Sequence, residues 1–172
     1  MTLNTLHDLM IDELKDIYSA ETQILKALPE MVKHATNADL KKAFEDHLTQ
    51  TKGHVTRLDT IFGELKADPK GTTCKAMEGI LAEAAGTLAK KGDAIVLDAA
   101  IIGDAQRVEH YEIAAYGAVH AYAVQMKHDN IAKLLQATLT EEEAANDGLT
   151  AIAKTKVNNK APQMRELQTA GK

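Results

Sequence analysis

Four stretches of this chain place their apolar residues at alternating steps of three and four, a period that only a helix turns into a single face. One face reads Met10, Leu14, Ile17, Glu21, Ile24, Leu28, Met31. A second reads Leu40, Phe44, His47, Thr51, His54, Leu58, Ile61, Leu65. A third reads Ile102, Ala105, Glu109, Glu112, Tyr116, Val119, Ala123, Met126, and the last Ile131, Leu135, Thr138, Glu142, Ala145, Leu149, Ile152. Stripes of this kind pack ridge into groove at about 20°. Four rods can bury such stripes against one another as a four-helix bundle.

Local signals set the expected boundaries. The first helix is predicted over about residues 4–34, capped by Thr2 or Asn4. Pro29 lacks an N–H and crowds the turn before it, which predicts a kink near residues 25–28 or an early end. Residues 35–38 form a short link in which Asn37 caps the second helix. Gly53, inside that helix, costs about 1 kcal/mol against Ala and suggests close approach of a neighbour. ADPKGTT (67–73) is the clearest break, followed by a short helix over about residues 75–90. Gly92 and Asp93 open the next long helix, which runs to about Lys127, and His128-Asp129-Asn130 turns the chain into the last. The periodic pattern stops after Val157. The expected architecture is all-α: a ferritin-like four-helix bundle over residues 1–157, one extra short helix in the crossover between two antiparallel hairpins, and a polar C-terminal tail over 158–172.

Composition narrows the partners. The 172 residues suffice for one core, and with only three Pro and six aromatics they favour helices over strands. A net charge of −5 provides no basic field for a nucleic-acid backbone. No apolar run reaches a membrane span, and MTLNTLHDLM lacks the basic start and apolar block of a signal peptide. A single cysteine, Cys74, cannot form an internal disulfide, which suits a reducing, cytoplasmic compartment. It has no histidine partner in the pattern that would make it a nucleophile. Glycine-rich phosphate loops and CxxC pairs are absent from the sequence.

Each long helix breaks its own apolar stripe near the middle. Glu21 does so in the first, His47, Thr51 and His54 in the second, Glu109 and Glu112 in the third, and Glu142 in the last. Taken singly, a seam glutamate is more often a mis-phased surface residue, and a seam histidine a satisfied core group. Together they predict acids and imidazoles meeting at one level of the bundle. Like charges turned toward a dry interior are unfavourable unless protonated or bridged by a cation. Carboxylate oxygen with imidazole nitrogen is the ligand set of hard and borderline divalent ions. His7, His34, His110, His120 and His128 lie off this level and are expected to be solvated.

At these residues the chain resembles a known family. DIYSAETQ (16–23), CKAMEGI (74–80), VEHYEIAAYG (108–117) and TLTEEEAAND (138–147) look like the YciF/YciE family of bacterial stress-induced, ferritin-like proteins, and more distantly like rubrerythrin. The likeness covers about residues 1–161. It implies an all-helical homodimer in the cytoplasm with a di-metal site. Carried over by position, it implies Glu21, Glu109, Glu112, Glu142 and His54 as ligands, with His47 matching a histidine of the nearer family. Three positions depart from the pattern. Thr51 stands where the rubrerythrin-like pattern has a glutamate and Ala145 where it has a second histidine, with Asn146 and Asp147 adjacent. Gln50 stands where the nearer family carries Glu.

Two function classes follow. In one, Glu21, His47, His54, Glu109, Glu112 and Glu142 hold Fe or Mn, as two ions, and handle peroxide, oxygen or Fe(II). With no rubredoxin-like cysteine cluster in the sequence, the electron donor would be another molecule. In the other, the chain is a non-enzymatic helical dimer with a vestigial site. Its buried acids are then protonated, hydrated, or tied to the histidines, Tyr18 and Tyr116, and it acts as a stress-related binding or structural module.

Overall fold

The computed structural model describes residues 2–163, so most of the expected tail, 164–172, lies outside the described residues. The described chain forms α1 (Leu6–His34), α2 (Ala38–Leu65), α3 (Lys75–Leu88), α4 (Ala94–Gln125) and α5 (Asp129–Ile152). A π-helical turn, Ala153–Val157, follows α5. α1 packs on α2, α2 on α5, α5 on α4 and α4 on α1, which closes a four-cornered ring. α3 lies in the crossover and packs against α4 and α1. The fold is the all-α, ferritin-like bundle that the four stripes imply.

Several helix ends differ from expectation, each for a local reason. α1 is capped by Thr5, not by Thr2 or Asn4. Thr5 Oγ1 accepts from the Asp8 N–H at 3.0 Å while the Asp8 carboxylate accepts from the Thr5 N–H at 3.0 Å, a reciprocal capping box. The helix runs on past Pro29 to His34. Gly53 has no close neighbour, since a Cβ there would meet no atom within 4 Å. Asp129 and Asn130 already belong to α5, and the turn into it is made one residue earlier, by Lys127 at φ 59. Cys74 is buried and caps α3, its Sγ accepting from the Met77 N–H at 3.3 Å. The π turn aims Val157 into the core.

Two apolar clusters fill the bundle, one at each end. The first includes Ile24, Leu28, Phe44, Ile101, Ala105 and Leu149; the second Leu14, Ile17, Leu58, Val119, Ile131 and Leu135. The seam positions between them are the polar ones: Glu21 falls between Ile17 and Ile24, and Glu142 between Leu135 and Leu149. The bundle therefore has a polar layer sandwiched between two dry ones.

Asp98 fixes the α1–α2 corner. Its buried carboxylate accepts from the Thr36 N–H at 2.9 Å, the Thr36 hydroxyl at 2.6 Å and the Asn37 N–H at 2.9 Å. Asn37 in turn caps α2. Removing the acceptor leaves two backbone donors without partners, so Asp98→Ala is expected to cost about 2–3 kcal/mol. Urea unfolding would read this as a lower midpoint at unchanged slope.

Candidate metal centre

All six candidate ligands, Glu21, His47, His54, Glu109, Glu112 and Glu142, lie in this layer and are buried, as is Thr51. They form two groups whose ligand atoms lie within 4.8 Å of one another. One contains His47, Glu109, Glu112 and Glu142, the other Glu21, His54 and Glu142. Glu142 belongs to both groups.

The helices place these groups by spacing alone. Glu109 and Glu112 are three apart on α4 and leave the same face. His47 and His54 are seven apart on α2, two turns, and their rings lie 6.3 Å centroid to centroid. Thr51, between them, donates its hydroxyl to the His47 carbonyl at 2.8 Å. Its hydroxyl proton is thereby engaged in its own helix, and the side chain brings no carboxylate charge to the layer. Ala145 presents only a methyl, beside His47 and Gln50.

His54 is held from outside the layer. Its Nε2 donates to Glu141 Oε2 at 2.9 Å, and Arg57 grips the same carboxylate at 2.6 and 2.9 Å. Arg57 also donates to Thr138 at 3.0 Å. This turns Nδ1 inward, to 2.9 Å from Glu142 Oε1 and 3.3 Å from Glu21 Oε1, with neither contact aligned as a hydrogen bond. Tyr116 donates its hydroxyl to Glu21 Oε1 at 2.5 Å. His47 lies 3.6 Å from Glu109 and 4.0 Å from Glu142, also without a hydrogen bond.

Ten buried side-chain polar atoms lack a hydrogen-bond partner among the described residues, and nine of them belong to these six residues. The tenth is an oxygen of Asp104, whose other oxygen binds Arg107. Buried polar atoms are nearly always paired, so this concentration is a chemical signal. Protonation reflects the same strain. Burial, with Glu142 beside them, pushes the carboxyls of Glu109 and Glu112 well above the usual range. Burial also raises Glu21 and lowers His47. Burial alone would lower His54, but the adjoining acids Glu142 and Glu21 outweigh it and hold the imidazole up at about 10. The donor set of carboxylate oxygens and imidazole nitrogens suits divalent cations, and these nine atoms have no hydrogen-bond partner among the described residues.

The stripes did not single out Glu141 and Arg57. Glu141 is half-buried one residue from Glu142, and from sequence it reads as part of an exposed acidic run. The arginine at position 57, three residues after His54 on α2, was the one available signal for its partner. Of the other histidines, His34 and His110 are exposed, and His7, His120 and His128 are half-buried.

Fold and layer together define a ferritin-like helical protein with a buried carboxylate–imidazole centre. More particularly, the chain belongs to the family described as a domain of unknown function, DUF892, which matches residues 5–162. It is 41% identical to Protein YciF of Escherichia coli strain K12 over 162 residues, which are 94% of this chain and 98% of that protein. The crystal structure of the E. coli stress protein YciF superposes with a TM-score of 0.87 at 40% identity, covering 91% of this chain and 99% of that one. YcfI from Rhodopseudomonas palustris, named as a candidate structural protein, gives 0.84 at 46% identity over 88% and 96% of the two chains. A two-domain protein from Anabaena variabilis with a ferritin-like domain gives 0.61 at 16% identity, covering 98% of this chain and 42% of that one, a likeness of fold.

Proposed function

We propose that the chain is a bacterial stress-response protein that binds two divalent ions, Fe or Mn, at the centre of its bundle and handles peroxide, oxygen or Fe(II). The observation that carries this reading is the set of nine unpartnered polar atoms on Glu21, His47, His54, Glu109, Glu112 and Glu142. In a metal-free protein they destabilise the fold, whereas ligation would turn the carboxylate oxygens and one nitrogen of each imidazole into favourable contacts. Glu142 would join the two positions, His47, Glu109 and Glu112 completing one and Glu21 with His54 the other. Bound Fe or Mn would supply one-electron redox chemistry and Lewis acidity.

The protein's own contribution is support and exclusion. Glu141 and Arg57 fix the His54 ring so that Nδ1 faces Glu21 and Glu142. Tyr116 holds a proton against Glu21 Oε1. The two apolar clusters keep bulk water from both ends of the layer. Glu141→Gln is expected to weaken metal binding about 10–100-fold, because the outer partner of a ligating histidine sets its orientation and basicity. Competition against a chelator of known affinity measures this. By family resemblance the working form is a cytoplasmic homodimer, with an electron donor supplied by another molecule.

The deciding experiment is elemental analysis of protein purified without chelator. About two Fe or Mn per chain are expected, and none in the Glu109→Ala/Glu112→Ala double variant. Metal-free wild type would instead favour a structural helical protein. Thr51 and Ala145, neither of which brings a carboxylate or an imidazole, speak for that second reading, as does the naming of YcfI.

A further inference from the structure

α2 and α5 do not close over His47. Ala43 on α2 and Ala145 and Gly148 on α5 have little or no side chain, and they line a cavity of about 210 Å³. His47 and Glu109 line it too. Both are more than nine-tenths buried, at 6% and 3% exposed. Both also leave polar atoms unpartnered: the two ring nitrogens of His47 and Oε2 of Glu109. Phe44 and Leu149 supply apolar wall. Asp46 is the acid on the α2 side, and Lys42 holds its carboxylate at 2.8 and 2.9 Å, so that position carries no unbalanced charge.

We propose that this cavity is a binding port to the centre for a small neutral organic molecule with a compact apolar body and one oxygen head, of the class of short-chain alkyl hydroperoxides and their alcohols. Size, charge and polarity each limit the occupant. A cavity of about 150 Å³ admits benzene, so this one accepts roughly six to eight heavy atoms. Alanine, phenylalanine and leucine walls favour an apolar body, while a hydroxyl or hydroperoxyl can both give and accept a hydrogen bond against His47 and Glu109. No lysine or arginine is among the lining residues, whereas Asp46 and Glu109 are, so an anion finds no counter-charge there. Binding of the head needs only the protein's own groups. Assigning the hydroperoxide as substrate rests on the di-metal reading above.

The test uses the full chain, as purified and again after chelation, titrated with tert-butanol and followed by the NMR signals of the Ala43 and Ala145 methyls and the His47 ring. Saturable shifts at these groups are expected, with pivalate, the anionic isostere, binding at least about tenfold more weakly. Gly148→Leu narrows the port. A Cβ at 148 meets no atom within 4 Å, so the fold can accept it. This variant is expected to weaken tert-butanol binding about tenfold or more while its metal content matches wild type. Ala145→Leu, which fills the port from the next turn, should do the same. No saturable shift, equal binding of pivalate, or wild-type affinity in a folded Gly148→Leu protein overturns the port. A metal-free wild type that still binds tert-butanol supports the port and removes the metal reading, whereas two metals per chain without alcohol binding do the reverse.

Discussion

Replacing Glu112 with leucine is expected to stabilise the metal-free protein by about 2 kcal/mol and to abolish its thermal response to metal. Both oxygens of Glu112 are buried and neither has a hydrogen-bond partner. Its carboxyl is held well above the usual range by burial first and then by Glu142, Glu21 and Glu109. Without a cation the group brings desolvation with nothing in return, and a leucine of similar volume removes that cost. Few core substitutions increase stability, so the sign is diagnostic. For a chain of this length the gain corresponds to a rise in Tm of roughly 4–8 °C. With excess Mn(II) the order reverses, because wild type gains about 4 kcal/mol at a thousandfold excess over Kd and the variant gains far less. Melts of both proteins in chelator and in Mn(II) give this crossing. A Glu112→Leu protein that is less stable than wild type in chelator, or that responds equally to metal, removes the basis for a built cation site.

The stripes were legible because burial on one face of a helix imposes its period on the sequence whatever the neighbours are. That is why Met10 to Met31 on α1 and Leu40 to Ile61 on α2 were placed residue by residue, and why their polar interruptions stood out. What lay one residue off a stripe was not legible. Glu141 sits about 100° around α5 from the inward direction, yet it reaches His54 because α2 packs beside α5 there. Only the pairing of helices decides whether such a residue meets solvent or a partner. Asp98 is a different case: it lies four residues before Ile102 and so extends the third stripe, but only the fold shows its three donors, which come from the α1–α2 link 61 and 62 positions away. Gly53 shows the opposite error, since the half-buried glycine has open space around it and helix propensity alone gave it too much meaning.

The pH dependence of the metal-free protein supplies the second large effect. The His54 imidazole is held up at about 10, against an ordinary value of 6.5, by the adjoining Glu142 and Glu21, which outweigh its burial. A folded pKa above the unfolded one contributes stability that is complete below 6.5 and is lost as pH rises toward about 10. Glu21, Glu109 and Glu112 are also raised, so folding favours their protonated forms and they too lose stability as pH climbs through their folded values. His47, lowered by burial, acts the other way and costs stability only as pH falls below 6.5. The net expectation is a metal-free protein most stable on the acid side of pH 6.5 and weaker by on the order of 5 kcal/mol at pH 10, or roughly 10–20 °C in Tm. Metal reverses the slope in that window. Ligation needs the carboxylates ionised and His54 neutral at Nδ1, so binding expels protons and strengthens as pH rises. Melts in chelator should fall from pH 6 to 10, while melts in excess Mn(II) should hold level or rise to the onset of hydroxide precipitation. Calorimetry in two buffers of different ionisation enthalpy counts the released protons directly. A flat chelator profile would mean that the acids and imidazoles of the layer are already compensated within the protein, and a cation would then have nothing to relieve.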